Sequence, residues 1–190
     1  MLTGGQWKEG TIGATSPVRP AADEHSAYYG QYIALVPDSD LLAQLARQGA
    51  QMVALLTALP ERQARSRPGP GEWSALEVAG HLADTERVLA YRALRIARRD
   101  PTPLAGVADF APYVAAADFA GCALAEVAAD LAAVRQASLT LFRGLDAAAW
   151  ARSGLADGDR ISVRALAYLI AGHELHHLPD LRRARAGRDG

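Results

Sequence analysis

Apolar residues recur at three- and four-residue steps in four separate segments of the chain. The segments run from about 38 to 59, 75 to 98, 122 to 143 and 162 to 178. Such spacing places the apolar side chains on one face of an α-helix. No segment alternates polar and apolar residues as a half-buried strand would. Four helices that must each bury one face predict an all-α fold, a four-helix bundle.

The ends of two helices are marked by specific residues. Ser74 and Glu77 have the spacing of a capping box, in which each side chain accepts from the other residue's backbone N–H. Ser162 is a favourable N-cap for the fourth helix. Pro179 is expected to end that helix near Leu178, because proline interrupts the helical hydrogen-bond ladder.

The remaining segments suggest how the domain is organised. Residues 100–119 contain three prolines and form a long crossover between helices two and three. Residues 1–37 are rich in glycine and proline and are expected to form an extension that is partly disordered or packed on the body. Three tyrosines in its second half favour packing. The bundle itself is expected to span residues 38–190.

The overall composition excludes several classes of protein. The 190 residues include 20 basic and 21 acidic side chains, for a net charge of -1, which argues against a nucleic-acid partner. No apolar run is long enough for a membrane span, and the first ten residues lack a signal core, so a cytoplasmic protein is expected. Cys122 is the only cysteine, which excludes an intrachain disulfide and a cysteine-rich zinc site.

Histidines continue the apolar stripe of the fourth helix. Leu166, Ile170, His173 and His177 follow one another at steps of four, three and four, so they share one face. Imidazoles at positions i and i+4 can bind one metal ion. His176 is rotated by about 100° from His177 and should not share that ion.

A third histidine lies in the apolar run of the second helix. His81 is expected to face the interior of the bundle, where metal sites assemble from facing helices. His81, His173 and His177 would form a three-histidine site with an open position for water or substrate. Zinc, nickel and iron all suit such ligands. The alternative is that these histidines are structural and donate to carbonyl groups in the core.

The same region also matches a protease motif. Residues 173–177 read His-Glu-Leu-His-His, in which Glu174 would be the general base of a zinc protease. The thirteen residues that follow contain no histidine or glutamate to complete the ligand set, and Pro179 interrupts the helix early. A protease is therefore disfavoured.

Other polar residues are weaker candidates for the chemistry. Asp84 lies one turn after His81 and could orient its free ring nitrogen, or it could be a solvated charge on the helix face. Asp84 and His176 are the candidates for a catalytic base. A cluster of arginines could bind an anion, although a solvated face paired with carboxylates is favoured; its members are Arg92, Arg95, Arg98 and Arg99.

Two stretches that contain these histidines resemble the DinB/YfiT-like superfamily. They are Gly71–Arg87, which includes Gly-Glu-Trp-Ser and His81, and Ser162–Leu178, which includes His173 and His177. Tyr91–Arg95 and Thr102–Gly106 are similar to one branch of the superfamily. The resemblance covers about 21–178. The extension and the stretch after Gly106 depart from the family pattern.

The resemblance carries expectations about fold and activity. It implies a four-helix bundle with a long crossover, usually a homodimer, that binds a divalent metal through His81, His173 and His177. It implies transfer of a small thiol, such as bacillithiol, to an electrophile. A hydrolase that activates water is an alternative, as is a non-catalytic binding protein whose metal only stabilises the bundle. Some members are described as damage-inducible, which suggests a stress response.

Overall fold

The computed structural model describes residues 16–107 and 109–186, and it confirms the helical bundle. Expectations about residues 1–15 lie outside the described residues. The helices and strands, in chain order, are α1 (Ala27–Ile33), α2 (Leu41–Thr57), α3 (Glu61–Arg65), α4 (Ala75–Ala97), α5 (Ala111–Ala117), α6 (Leu124–Arg143), α7 (Ala147–Trp150), β1 (Ser153–Ala156), β2 (Asp159–Ser162) and α8 (Val163–Ala186). The bundle consists of α2, α4, α6 and α8. Both α2 and α4 pack against α6 and α8.

The predicted helix caps are present. The Ser74 hydroxyl accepts from the Glu77 backbone N–H at 3.3 Å, and a Glu77 carboxylate oxygen accepts from the Ser74 N–H at 2.8 Å. The Ser162 hydroxyl likewise accepts from the Ala165 N–H at 3.1 Å. These bonds satisfy donors that the first turns of α4 and α8 would otherwise leave free. The N-terminal ends of the two helices that carry the histidines are therefore fixed.

The prediction that the fourth helix ends near Leu178 is wrong. Helix α8 contains Pro179 and continues to Ala186. A proline within a helix costs roughly 3 kcal/mol or more, because it removes one backbone donor and its ring crowds the preceding turn. Two residues later, Leu181 is completely buried among apolar side chains of the bundle. Burial of this last turn offsets the cost of the proline.

Two connections contain more structure than the sequence predicted. The crossover from α4 to α6 includes the short helix α5 and a 3₁₀ turn, Phe119–Gly121. Strands β1 and β2 form an antiparallel hairpin where only a turn was expected. Its two turn residues, Asp157 and Gly158, have φ angles of 58° and 80°. Two consecutive positive φ angles match the tight hairpin turn that Asp-Gly favours.

The core has two apolar clusters with a polar layer between them. One cluster surrounds Phe142 and Leu166, and the other surrounds Leu76 and Leu131. Along each bundle helix, buried polar residues lie between the two clusters; they are Gln48, Glu86, Arg135, Ser138 and Glu174. The polar layer thus crosses the bundle at the level of the predicted histidine site.

The described part of the N-terminal extension packs on the body. Helix α1 contacts α8 so closely that a Cβ added at Gly172 would collide with the Tyr32 carbonyl oxygen. A side-chain pair also links this segment to α8, because Arg164 donates to Glu24 at 2.7 Å. Within the described ranges, no helix is both long and apolar enough to cross a membrane.

Candidate metal centre

Three histidines from two bundle helices converge at one point. His81 lies in α4, while His173 and His177 lie one turn apart in α8. The Nε2 atoms of His81 and His173 are 3.2 Å apart. One ring nitrogen from each histidine lies within 4.8 Å of the other two. The helical spacing predicted from the sequence therefore brings the three side chains together.

The protonation of the three rings suits metal binding. Burial lowers the pKa of His81 to about 4 and holds the pKa of His173 still further below its ordinary value. Burial also lowers the pKa of His177, although the hydrogen bond with Asp180 opposes this effect. All three imidazoles are consequently neutral at pH 7, which is the form that binds a metal.

The nitrogen positions can be compared with those around a bound ion. Zinc–nitrogen bonds of about 2.0–2.1 Å place two ligands of one tetrahedral ion roughly 3.4 Å apart. The 3.2 Å between His81 and His173 is close to this value. The ligand nitrogen of His177 lies within 4.8 Å of those of His81 and His173. The donor set therefore fits a divalent ion.

Two neighbouring groups orient the rings from outside the cluster. The Thr85 hydroxyl lies 3.4 Å from His81 Nδ1, and an Asp180 carboxylate oxygen lies 3.1 Å from His177 Nδ1. Such partners fix which ring nitrogen faces the centre. Sequence reasoning missed Asp180 because the helix was expected to end at Pro179. In a continuous helix, its position three residues after His177 would have indicated this contact.

A cavity of about 520 Å³ opens beside the histidines. Aromatic side chains form part of its wall. Trp73 packs 4.8 Å from His81 between ring centroids, Phe110 lies 5.0 Å from His81, and Tyr32 lies 5.6 Å from His173. Tyr32 comes from α1, so the N-terminal extension contributes to the wall. The crossover and the extension together turn the mouth of the bundle into a pocket that can hold a small molecule.

The structure places the two candidates for a catalytic base, Asp84 and His176, in different surroundings. Asp84 lies 3.2 Å from Arg87, and the neighbour of the His81 ring is Thr85 instead. His176 is exposed and lines the cavity 5.0 Å from His177, with Tyr32 on its other side. The structure thus does not bring Asp84 to the histidines, whereas it places His176 at the cavity surface.

Glu174 has a different role from that of a protease base. It accepts from the Arg135 guanidinium at 2.7 Å, and Glu86 accepts from the same group at 2.9 Å. Arg135 also donates to the Leu45 carbonyl, so the three side chains, here called the Arg135 clamp, connect all four bundle helices. Each of the three is at most 5% exposed. A carboxylate held in this way cannot serve as a base in the cavity.

The arginine cluster of α4 also divides in two. Arg95 pairs with Asp100 and the Tyr91 hydroxyl at the end of the helix, as expected for a solvated face. Arg92 instead is 5% exposed, lines the cavity and donates to the Ala105 carbonyl at 2.9 Å. The expectation of a solvated face is therefore wrong for Arg92.

Comparisons with known proteins agree with this architecture. The family model of the DinB superfamily matches residues 44–180. A solved structure, YfiT from Bacillus subtilis, superposes with a TM-score of 0.66 at 17% identity, over 88% of this chain and 93% of that chain. YfiT is described as a probable metal-dependent hydrolase with an unusual four-helix bundle topology. Among curated protein sequences, no match is found.

Proposed function

The chain belongs to the DinB superfamily, and we propose that it is a metal-dependent enzyme whose His81, His173 and His177 bind a divalent ion. One observation carries the proposal: three neutral imidazoles converge within 4.8 Å beside a cavity of about 520 Å³. Zinc, nickel and iron all suit these ligands. A divalent ion held by neutral ligands lowers the pKa of a thiol or of water that reaches it from the cavity.

We propose thiol transfer as the reaction. The thiol loses its proton, and its sulfur forms a bond to an electrophilic carbon of the second substrate. The bond from that carbon to the leaving group breaks, and the leaving group departs with the electron pair and takes up a proton if it is basic. The cavity of about 520 Å³ beside the histidines can hold small substrates. We propose His176 as the group that accepts the thiol proton, because its ring is exposed at the cavity surface.

Hydrolysis is the second candidate, and the description of YfiT favours it. In that case water would lose a proton and its oxygen would bond to an acyl or phosphoryl centre, while the bond from that centre to the leaving group would break and the leaving group would take up a proton. The same pocket would hold the substrate. The residues that bind the ion are the same for both reactions. Substrate tests rather than ligand geometry must therefore distinguish them.

The cavity argues against a metal that only stabilises the fold. Structural zinc sites are closed by four protein ligands, whereas catalytic sites keep one position open. Among the described residues, the histidine cluster has three members and the cavity adjoins it. An open position next to a pocket favours catalysis.

The decisive experiment measures metal content and activity together. Untagged wild-type protein is expected to contain about one equivalent of metal by elemental analysis, in line with a three-ligand site. His177→Ala should lose the metal while its circular dichroism spectrum is retained. The matched control is His176→Ala, which changes the adjacent histidine and should keep the metal. Retention of metal by His177→Ala, or its loss from His176→Ala, contradicts the ligand assignment.

The loaded protein is then assayed with two sets of probes. Small thiols with an aryl halide or an epoxide test transfer, and activated esters and phosphoesters test hydrolysis. Thioether formation that disappears in His177→Ala supports the proposed reaction. Ester or phosphoester cleavage without thioether formation supports the second candidate. A loaded protein that is inactive with every probe contradicts catalysis.

A further inference from the structure

Arg92 has a combination of properties that the proposed reaction does not use. It is buried, it lines the same cavity as the three histidines, and it lies on the same side of α4 as His81 and Thr85. Within residues 16–107 and 109–186, no carboxylate oxygen lies within 4.0 Å of its nitrogens. A buried guanidinium without a carboxylate is costly, because desolvation of its charge is not compensated by an opposite one.

The protein groups around Arg92 leave much of its hydrogen-bonding capacity unused. A guanidinium has five N–H donors, and the Ala105 carbonyl accepts from one of its terminal nitrogens. Tyr29 lies beside it: burial raises the pKa of Tyr29, and the Arg92 charge is the largest effect that opposes this rise. Both neighbours are neutral groups.

The acidic residues of the cavity are held elsewhere. Asp109 accepts from the Ala111 backbone N–H at 2.9 Å at the start of α5 and is exposed. The Asp157 carboxylate packs against Gly106, where no side chain could fit beside it. Neither forms an ion pair with Arg92 within the described residues. Among the described residues that line the cavity, Arg92 is the one buried side chain with a permanent positive charge, and it is thus available to a ligand.

We propose that Arg92 binds an anionic group, most simply a carboxylate, of the thiol or the electrophile. The inference rests on the proposed function, because it places the reacting end of that substrate at the histidines. His81 and Arg92 are eleven residues apart on α4, about 16 Å along the helix axis. Apart from Thr85 beside His81, the lining between them is apolar and includes Val88, Leu89 and Leu169. The substrate is therefore extended, with an apolar middle and an anionic end far from its reacting atom.

The test uses ω-mercaptoalkanoates of increasing chain length and the matching ω-mercaptoalkanamides. Binding to Co²⁺-loaded protein is followed by the sulfur-to-cobalt absorption band. The wild type should prefer acid over amide by about tenfold or more, as a hydrogen bond to a charged group provides. Longer chains should show the larger preference. Arg92→Gln should remove the preference, and Arg92→Lys, which keeps the charge, should retain part of it.

Arg95→Gln is the control, because it removes an arginine one turn away that does not line the cavity. It should keep the wild-type preference. Equal binding of acid and amide by the wild type overturns the inference, as does an unchanged preference in Arg92→Gln. A preference that is greatest for the shortest chain also overturns it, because the carboxylate would then be reaching the metal instead.

The experiment gives a different result if the proposed thiol transfer is wrong but the Arg92 site is correct. If no thiol gives the cobalt band, calorimetry with the same acids and amides still measures anion binding. A preference for the acid that Arg92→Gln removes then supports the Arg92 site while contradicting the thiol site. If Arg92→Gln does not fold, Arg92→Lys carries the comparison, and a preference for the acid that equals that of the wild type in this variant counts against the inference.

Discussion

The Arg135 clamp and the candidate metal centre contain consecutive residues of α8, Glu174 and His173. The polar groups of the two regions nevertheless have different partners. Glu174 accepts from an arginine whose nitrogens all bind to protein groups. His173 instead faces two other histidines and a cavity. In the part of the chain that the structure describes, none of the three rings donates to a backbone carbonyl, which disfavours the structural alternative. The polar groups of one region are paired within the protein, whereas those of the other border a cavity.

The two buried arginines repeat this contrast. Arg135 and Arg92 are almost equally buried, at 4% and 5% exposed. Arg135 has two carboxylates, whereas Arg92 has a carbonyl and a neighbouring phenol. Removal of one partner from a buried ion pair is strongly destabilising, because it leaves an uncompensated buried charge. Burial alone therefore does not distinguish the two arginines, whereas the groups that contact them do.

The largest expected effect comes from breaking the clamp. Arg135→Met leaves Glu86 and Glu174 buried without their cation, and it should lower the free energy of unfolding by about 3–5 kcal/mol. Urea denaturation measures the change. Arg143→Met, which replaces an exposed arginine on the same helix, should change it by less than about 0.5 kcal/mol. Equal stability of the Arg135 and Arg143 variants would show that the clamp does not stabilise the bundle.

The pH dependence of the free energy of unfolding, measured on metal-free protein, tests whether the buried His81 is neutral in the folded state. The pKa of His81 is about 4 in the folded protein, against an ordinary value of 6.5. As pH falls between these values, the unfolded chain binds the proton first, so the free energy of unfolding decreases. For His81 alone, the loss at pH 5 should be about 2 kcal/mol relative to pH 8.

The comparison variant is His81→Gln, which removes this proton equilibrium. The difference in unfolding free energy between pH 8 and pH 5 should be smaller in that variant by about 2 kcal/mol. A difference between the two pH values that is the same in variant and wild type would mean that His81 is not protonated preferentially in the unfolded chain.

Features that depend on residues near one another in sequence could be predicted, whereas features that depend on contacts between distant parts of the chain could not. Helix spacing, the Ser74 cap and the common face of His173 and His177 are local patterns, and the structure reproduces them. The continuation of α8 through Pro179 depends on burial of Leu181 by other helices, which local rules do not contain. The separation of Arg92 from Arg95 likewise depends on the crossover that covers one and not the other. Asp157-Gly158 is a local signal as well, because consecutive residues of this type favour the tight turn of a hairpin.

The smallest expected effect concerns Asp180, which links the centre to the end of α8. Its carboxylate orients the His177 ring from outside the cluster, and such partners typically contribute ten- to hundredfold to metal affinity. Because the Asp180 side chain is 36% exposed, water can partly replace it, so the lower end of that range is expected. Asp180→Asn should weaken zinc binding about tenfold in a competition titration with a chromophoric chelator. Asp84→Asn, which changes a carboxylate near His81 in sequence but not at its ring, should leave the affinity unchanged. If the Asp84 variant weakens binding and the Asp180 variant does not, the rings are oriented from α4 and not from the helical turn beyond Pro179.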